Sequence, residues 1–170
     1  MDTFQKWIAF SGSASATAGM VRYAEAAIQR AMIHNWSIMV GDTPQGIDRA
    51  IVSALLDASY PYFFIATIQN EAPRVLTALR GGNPKSKGTW QDHHLRDRTM
   101  VEFADTVMCI WNGKSKGTKA VFDYAIEVGA EAYLVDFSRQ DRKAKRAPLL
   151  IHVEEKQPEQ AVLFGYVESP

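Results

Sequence analysis

Three glycine-containing loops hold most of the side chains able to do chemistry on a polar ligand. They are Ser11-Gly12-Ser13, the run Gly41-Asp42-Thr43-Pro44-Gln45-Gly46-Ile47-Asp48, and Gly113-Lys114-Ser115-Lys116-Gly117-Thr118. Each follows a short apolar run and precedes a stretch with helical periodicity. A helix start presents unpaired N–H groups and the positive end of the helix dipole, so it suits an anion such as phosphate. Ser11, Gly12 and Ser13 fit phosphate or ribose contact, and equally a turn with a helix N-cap. Gly41 and Gly46 serve a tight loop in either case. Asp42 suits a ribose hydroxyl, as an acid after a strand does in dinucleotide sites, or an Asx turn. Asp48 reads as a first-turn acid or as a further ligand contact. The loop from Gly113 to Thr118 makes the strongest case for phosphate, through Gly113, Lys114, Ser115, Gly117 and Thr118.

Other residues carry weaker signals. Arg96 and Arg98 stand near the expected start of another helix, where positive charge opposes the dipole and an anionic partner would offset the cost; solvated surface arginines are the alternative. Trp111 ends an apolar run beside the third loop, where it can stack on a base or pack in the core. His93-His94 point different ways on a helix, and no carboxylate or cysteine set completes a metal site, so no metal is expected. Cys109 lies inside an apolar run and reads as core. Neither G-x-G-x-x-G nor G-x-x-x-x-G-K-[ST] occurs, which argues against simple NAD-dehydrogenase and P-loop ATPase readings. The pentapeptide Lys-Ser-Lys-Gly-Thr occurs twice, at 85–89 and 114–118, and nothing in the sequence explains the duplication.

The elements that must position these loops follow from periodicity. Short apolar runs predict strands at Trp7–Phe10, Ser37–Val40, Tyr62–Ile68, Thr106–Trp111 and Ala132–Phe137. Helical spacing predicts helices over about Ala18–His34, Ile47–Ser59, Asp92–Ala104 and from the third loop to Val128. The stretch from Gln69 to Gln91 reads as a long loop, a lid or a partner contact. Alternation of strand and helix predicts parallel strands with right-handed crossovers: an α/β, single Rossmann-like three-layer sandwich on a mainly parallel five-stranded sheet. An apolar patch, Ala161-Val162-Leu163-Phe164, predicts an extra C-terminal strand. In such a sheet the three loops share the carboxyl edge, where ligands bind at the point of strand-order reversal.

The order of motifs resembles a known group. Phe10-Ser11-Gly12-Ser13, Val40 through Asp48, Arg96-Asp97-Arg98-Thr99-Met100-Val101 with Ala104-Asp105, and Trp111 through Thr118 with Asp123-Tyr124-Ala125 are similar to the SLOG superfamily. That group includes the Smf/DprA DNA-processing proteins, the LOG phosphoribohydrolases and the YpsA-related proteins, and the spacing resembles the YpsA-related branch most, over roughly residues 5–137. The resemblance implies a Rossmann-like site for a nucleotide or nucleotide derivative, built by these loops, with Arg98, beside the family-like run, as the preferred arginine contact. One departure bears on catalysis. LOG enzymes carry a glutamate just after the Gly-Thr of their third loop, and here Lys119-Ala120-Val121-Phe122 follow Thr118. The next acid is Asp123, so Asp123 and Asp42 are the only catalytic candidates, and glycosidic cleavage is not carried by the motif.

The chain has 170 residues, 46% hydrophobic and 22% charged, enough for one domain with a real core. Nineteen Lys plus Arg balance nineteen Asp plus Glu, which argues against a general nucleic-acid coat. One cysteine precludes an internal disulfide. No apolar run approaches the roughly 18 residues that span a bilayer, and Met1-Asp2-Thr3 begins no signal peptide, so a cytoplasmic protein without membrane contact is expected. Residues 1–138 read as the nucleotide-binding domain and 139–170 as a basic linker and extension. The leading expectation is a binding protein for a nucleotide or an NAD- or ADP-ribose-derived molecule, acting as sensor, carrier or sequestering protein, requiring no cofactor and compatible with a homo-oligomer. An N-glycosidic hydrolase or transferase is the alternative. A DprA-type single-stranded-DNA-handling protein, less favoured by the neutral charge, is the third.

Overall fold

Apolar runs closed by glycine become strands when helices can cover both faces of the sheet they build. The computed structural model describes residues 5–139 and 149–154. Its elements are β1 (Trp7–Gly12), α1 (Ala18–Ile33), β2 (Ser37–Gly41), α2 (Gly46–Asp57), β3 (Phe63–Ala66), α3 (Arg74–Leu79), α4 (Trp90–Phe103), β4 (Thr106–Trp111), α5 (Lys116–Glu127), β5 (Glu131–Asp136) and β6 (Leu149–Val153). The sheet order is β3-β2-β1-β4-β5-β6. The first five strands are parallel, with Ile8 opposite Ile38 on one side and Thr106 on the other. β6 runs antiparallel to β5. Chain order therefore reverses direction across the sheet between β1 and β4, which opens a crevice at their carboxyl ends.

Two apolar layers sandwich this sheet. Met20, Ala24, Ile28 and Ala31 recur at helical spacing along α1 and are buried. With Ile47, Ile51 and Leu55 of α2 they pack on Ile8, Phe10, Ile38 and Val40. On the opposite face Met100, Val101, Val121, Phe122 and Ala125 of α4 and α5 cover Ala9, Met39, Val107 and Leu134. Cys109 belongs to this second layer, and burial pushes its thiol far above the ordinary range. It is a core residue.

The α/β sandwich agrees with the expectation from periodicity, with three differences. The stretch after β3 is not featureless, because it contains α3 and a clamp: the Glu71 carboxylate accepts from the backbone N–H groups of Lys87 and Gly88 and from the Ser86 hydroxyl. Thr89 and Asp92 then form a reciprocal capping box, which starts α4 two residues earlier than expected. The C-terminal strand is Leu149–Val153, held by the β5 edge. Ala161-Val162-Leu163-Phe164 and the basic stretch beyond Arg139 lie outside the described residues. No helix among the described residues is long and apolar enough to cross a membrane.

Candidate ligand-binding site

The first and third loops meet the second at Ser13. Its backbone carbonyl accepts from Ile47 N–H at 3.2 Å, and its hydroxyl accepts from Asn112 N–H at 3.1 Å. Gly46, at φ 71°, passes directly beneath: a Cβ there would lie 2.3 Å from the Ser13 carbonyl oxygen. Gly12 is packed as closely, with Ile47 Cβ 2.2 Å from where its own Cβ would be. Ser13 and Gly46 thus hold the loops together. Ser13 therefore already occupies the Ile47 N–H at the α2 start. The α1 start is capped by Thr17, whose Oγ1 accepts from Met20 N–H.

The α5 start is built by the third loop. Asn112 Oδ1 accepts from the N–H groups of Lys114 and Ser115, and Ser115 Oγ accepts from Thr118 N–H. The N–H groups of Lys116 and Gly117 have no partner among the described residues, as the first turn of a helix requires. A Cβ on Gly117 would meet nothing within 4 Å. Gly113 instead turns the chain at φ 84° against Ser138. Trp111 supports the loop by donating from Nε1 to the Ser115 carbonyl at 2.9 Å.

A cavity of about 320 Å³ opens in front of this helix start, within the size range of small-molecule sites. Ser11, Gly12 and Gly41 form its floor, Ser115, Gly117 and Thr118 one wall, and Trp90, His93, His94, Arg96 and Asp97 of α4 the other. Arg74, Thr43 and Asp48 complete it. His93, Arg96, Asp97, Met100 and Val101 follow helical spacing, so one face of α4 carries polar groups to the cavity and apolar groups to the core. That spacing was the signal available for Arg96 and Asp97. Arg98 points away: it is exposed, lies over the Tyr124 ring at 4.7 Å and donates to His94. Arg96, not the preferred Arg98, is the α4 arginine at the cavity. Arg74 carried no motif and could be found only in three dimensions.

The polar wall is built around buried charge. Asp42 is fully enclosed; it accepts from Arg74 Nε at 3.1 Å, Arg74 Nη2 at 2.9 Å and Arg96 Nη1. Burial alone would raise its carboxyl, but the Arg74 hydrogen bonds and the two guanidinium charges hold it below the usual range. Arg96 also donates to Asp97 Oδ1 from Nε at 2.9 Å and Nη2 at 2.7 Å. Asp48 is 4% exposed and accepts from Thr43 N–H through Oδ2. Burial pushes its carboxyl up to about 6, only partly opposed by Arg96. Asp97 is raised for the same reason. Burial and the two arginines lower His93, whose Nε2 lies 3.0 Å from Ser86 Oγ. Gly41 makes room for this arrangement: a Cβ there would sit 2.7 Å from Asp48 Oδ2 and 3.3 Å from Arg96 Nη2.

Of the two acids that could have done chemistry, neither is free at the cavity. Asp42 is saturated by arginines. Asp123 is exposed on α5 and pairs with Lys119. Lys114 and Lys116 are exposed at the α5 start. Among the described residues no group of three or more His, Cys, Asp or Glu is placed to hold a metal ion.

No protein-family model matches the chain, and no curated protein does. Solved structures do. The molybdenum cofactor carrier protein from Chlamydomonas reinhardtii superposes with a TM-score of 0.57 at 13% identity, over 76% of each chain. DprA from Streptococcus pneumoniae superposes at 0.60 and 20% identity, over 81% of this chain and 52% of that one. DprA from Helicobacter pylori, described for its single-stranded DNA binding mode, superposes at 0.58 and 11% identity, over 84% and 68%. The Rossmann-like fold implied by the SLOG resemblance is the fold these chains share.

Proposed function

We propose that this chain binds a nucleotide-type small molecule at the carboxyl edge of its sheet, with the phosphate on the α5 start. The observation that carries this reading is the α5 start, where Lys116 and Gly117 N–H lack partners among the described residues and Ser115, Gly117 and Thr118 line an open cavity. The aromatic wall at Trp90, stacked on His94 at 4.8 Å, offers a heterocycle an apolar neighbour. A carrier, sensor or sequestering role follows more directly than turnover, because no unpaired acid stands at the α5 start. The likeness to a cofactor carrier supports a small ligand.

Calorimetry with GMP and AMP tests the reading. Gly117→Asp places a carboxylate where the phosphate would sit, in open space, and removes binding without loss of fold. Asp123→Asn, outside the cavity, leaves binding unchanged. Unaltered affinity in Gly117→Asp would take the α5 start out of the site.

A second reading is favoured by the two DprA neighbours: the same edge binds single-stranded DNA through its phosphates. Oligonucleotide binding that weakens steeply with salt, and outcompetes mononucleotides, would promote it.

A further inference from the structure

The two ends of the cavity differ in hydrogen-bonding character. The α5 end presents backbone N–H donors. The other, above β2, presents the Asp48 and Asp97 carboxylates beside the guanidiniums of Arg74 and Arg96. Asp48 is more than nine-tenths buried and Thr43 alone hydrogen-bonds it, through its backbone N–H to Oδ2 and through its side chain, so its acceptor capacity is not filled. The little surface Asp48 keeps is on the cavity it lines. Asp97 likewise uses Oδ1 for Arg96 and lines the cavity with Oδ2 unpartnered. Around them, three carboxylates (Asp42, Asp48 and Asp97) face two guanidiniums (Arg74 and Arg96), which leaves an excess of acceptor. β2 and β4 flank β1, so their ends stand roughly 10 Å apart, two inter-strand spacings. A ligand bridging them is longer than an inorganic anion.

We propose that Asp48, with Asp97 beside it, is the specificity element of this site and selects a heterocycle presenting two adjacent N–H donors, the 2-amino-4-oxopyrimidine edge of a guanine or a pterin. This rests on the phosphate reading of the α5 start. Carboxylate oxygens accept only, whereas that edge offers ring N–H and exocyclic NH2 side by side. Adenine presents a ring acceptor next to its amino group and sets a lone pair against a carboxylate. Hypoxanthine keeps the ring N–H and lacks the second donor. The site therefore ranks guanine above hypoxanthine above adenine. Burial of the acceptors makes the mismatch costly, because an unmatched ligand leaves them desolvated.

Calorimetry at pH 8 with GMP, IMP, AMP and a phosphorylated pterin decides it. GMP or the pterin binds at least about tenfold more tightly than AMP, the range of a bidentate base contact, with IMP between. Whichever of GMP and the pterin binds more tightly identifies the source of the edge. Asp48→Asn converts one acceptor to a donor and shifts the preference toward AMP, an effect that mere loss of packing would not produce; a retained melting transition shows that the variant folds. Equal affinity for GMP and AMP, both lost in Gly117→Asp, overturns this selectivity and leaves the phosphate site standing. No binding of any of the four overturns both.

Discussion

Arg96 on α4 donates from Nη1 to Oδ1 of Asp42, the residue after β2, across 54 positions of sequence. The contact ties the β3–β4 connection to the carboxyl edge of the sheet, and it is nearly dry: the two side chains are 8% and 0% exposed. A buried pair of this kind is weak evidence of net stability, yet removing Arg96 leaves Asp42 to Arg74 alone and strips the buried Asp97 of its guanidinium. Arg96→Ala is therefore expected to cost about 3 kcal/mol or more. Arg98→Ala, which removes an exposed ring contact, is expected to cost about 0.5 kcal/mol. Urea unfolding of both variants checks the ratio, and equal losses would contradict the assignment.

The raised Asp48 carboxyl gives the fold a pH signature. It titrates near 6 in the folded chain against an ordinary value of 3.8, so the native state holds the proton more tightly. Asp48 therefore favours folding at acid pH, loses that contribution as pH rises from 3.8 to 6, and is fully penalising above. Asp48→Asn should stabilise the protein by about 1–3 kcal/mol at pH 8, at roughly 1.4 kcal/mol for each pH decade. The gain should vanish near pH 4. Thermal melts of both proteins at the two pH values measure this; a gain that grows toward acid pH would show the sign to be wrong.

Gly12→Ala places a methyl carbon 2.2 Å from Cβ and Cγ2 of Ile47, a side chain with no exposure. Neither the β-branched neighbour nor the strand end can give way without moving the loop. A loss of about 1–3 kcal/mol is expected, as for overpacking. An unchanged melting temperature would mean that β1 and α2 are less tightly joined.

The Glu71 clamp predicts a local effect on dynamics. Glu71→Gln weakens the acceptor for the Lys87 and Gly88 amides, so hydrogen exchange there should accelerate while that of β1 and β4 does not change. Equal rates in both proteins would show that α3 and the α4 cap hold the segment without it.

Both copies of the repeated pentapeptide stand at helix starts. In the first, Ser86 Oγ accepts from Gly88 N–H and Thr89 caps α4; in the second, Ser115 caps α5. Ser and Thr compete for free N–H groups at such positions, which accounts for the shared composition but not for the identity of the five residues.

What the sequence determined by itself was the local grammar. Apolar runs of strand length, helical spacing such as Met20, Ala24 and Ile28, and glycines at loop positions needing positive φ all act between near neighbours, so the five parallel strands, α1, α2, α4, α5 and the common edge of the three loops were legible, whereas α3 and β6 were not. What the tertiary structure decided was which polar groups remain available at that edge. Ser13 occupies the Ile47 N–H at the α2 start, and Arg74 and Arg96 saturate Asp42, while among the described residues Lys116, Gly117, Asp48 and Asp97 keep hydrogen-bonding capacity to spare. Hydrogen-bond satisfaction is a property of pairs brought together across tens of residues, and no spacing along the chain encodes it. Arg96 and Arg98 differ by two positions and share every local property, yet a turn of 100° per residue sends one to a buried carboxylate and the other to solvent.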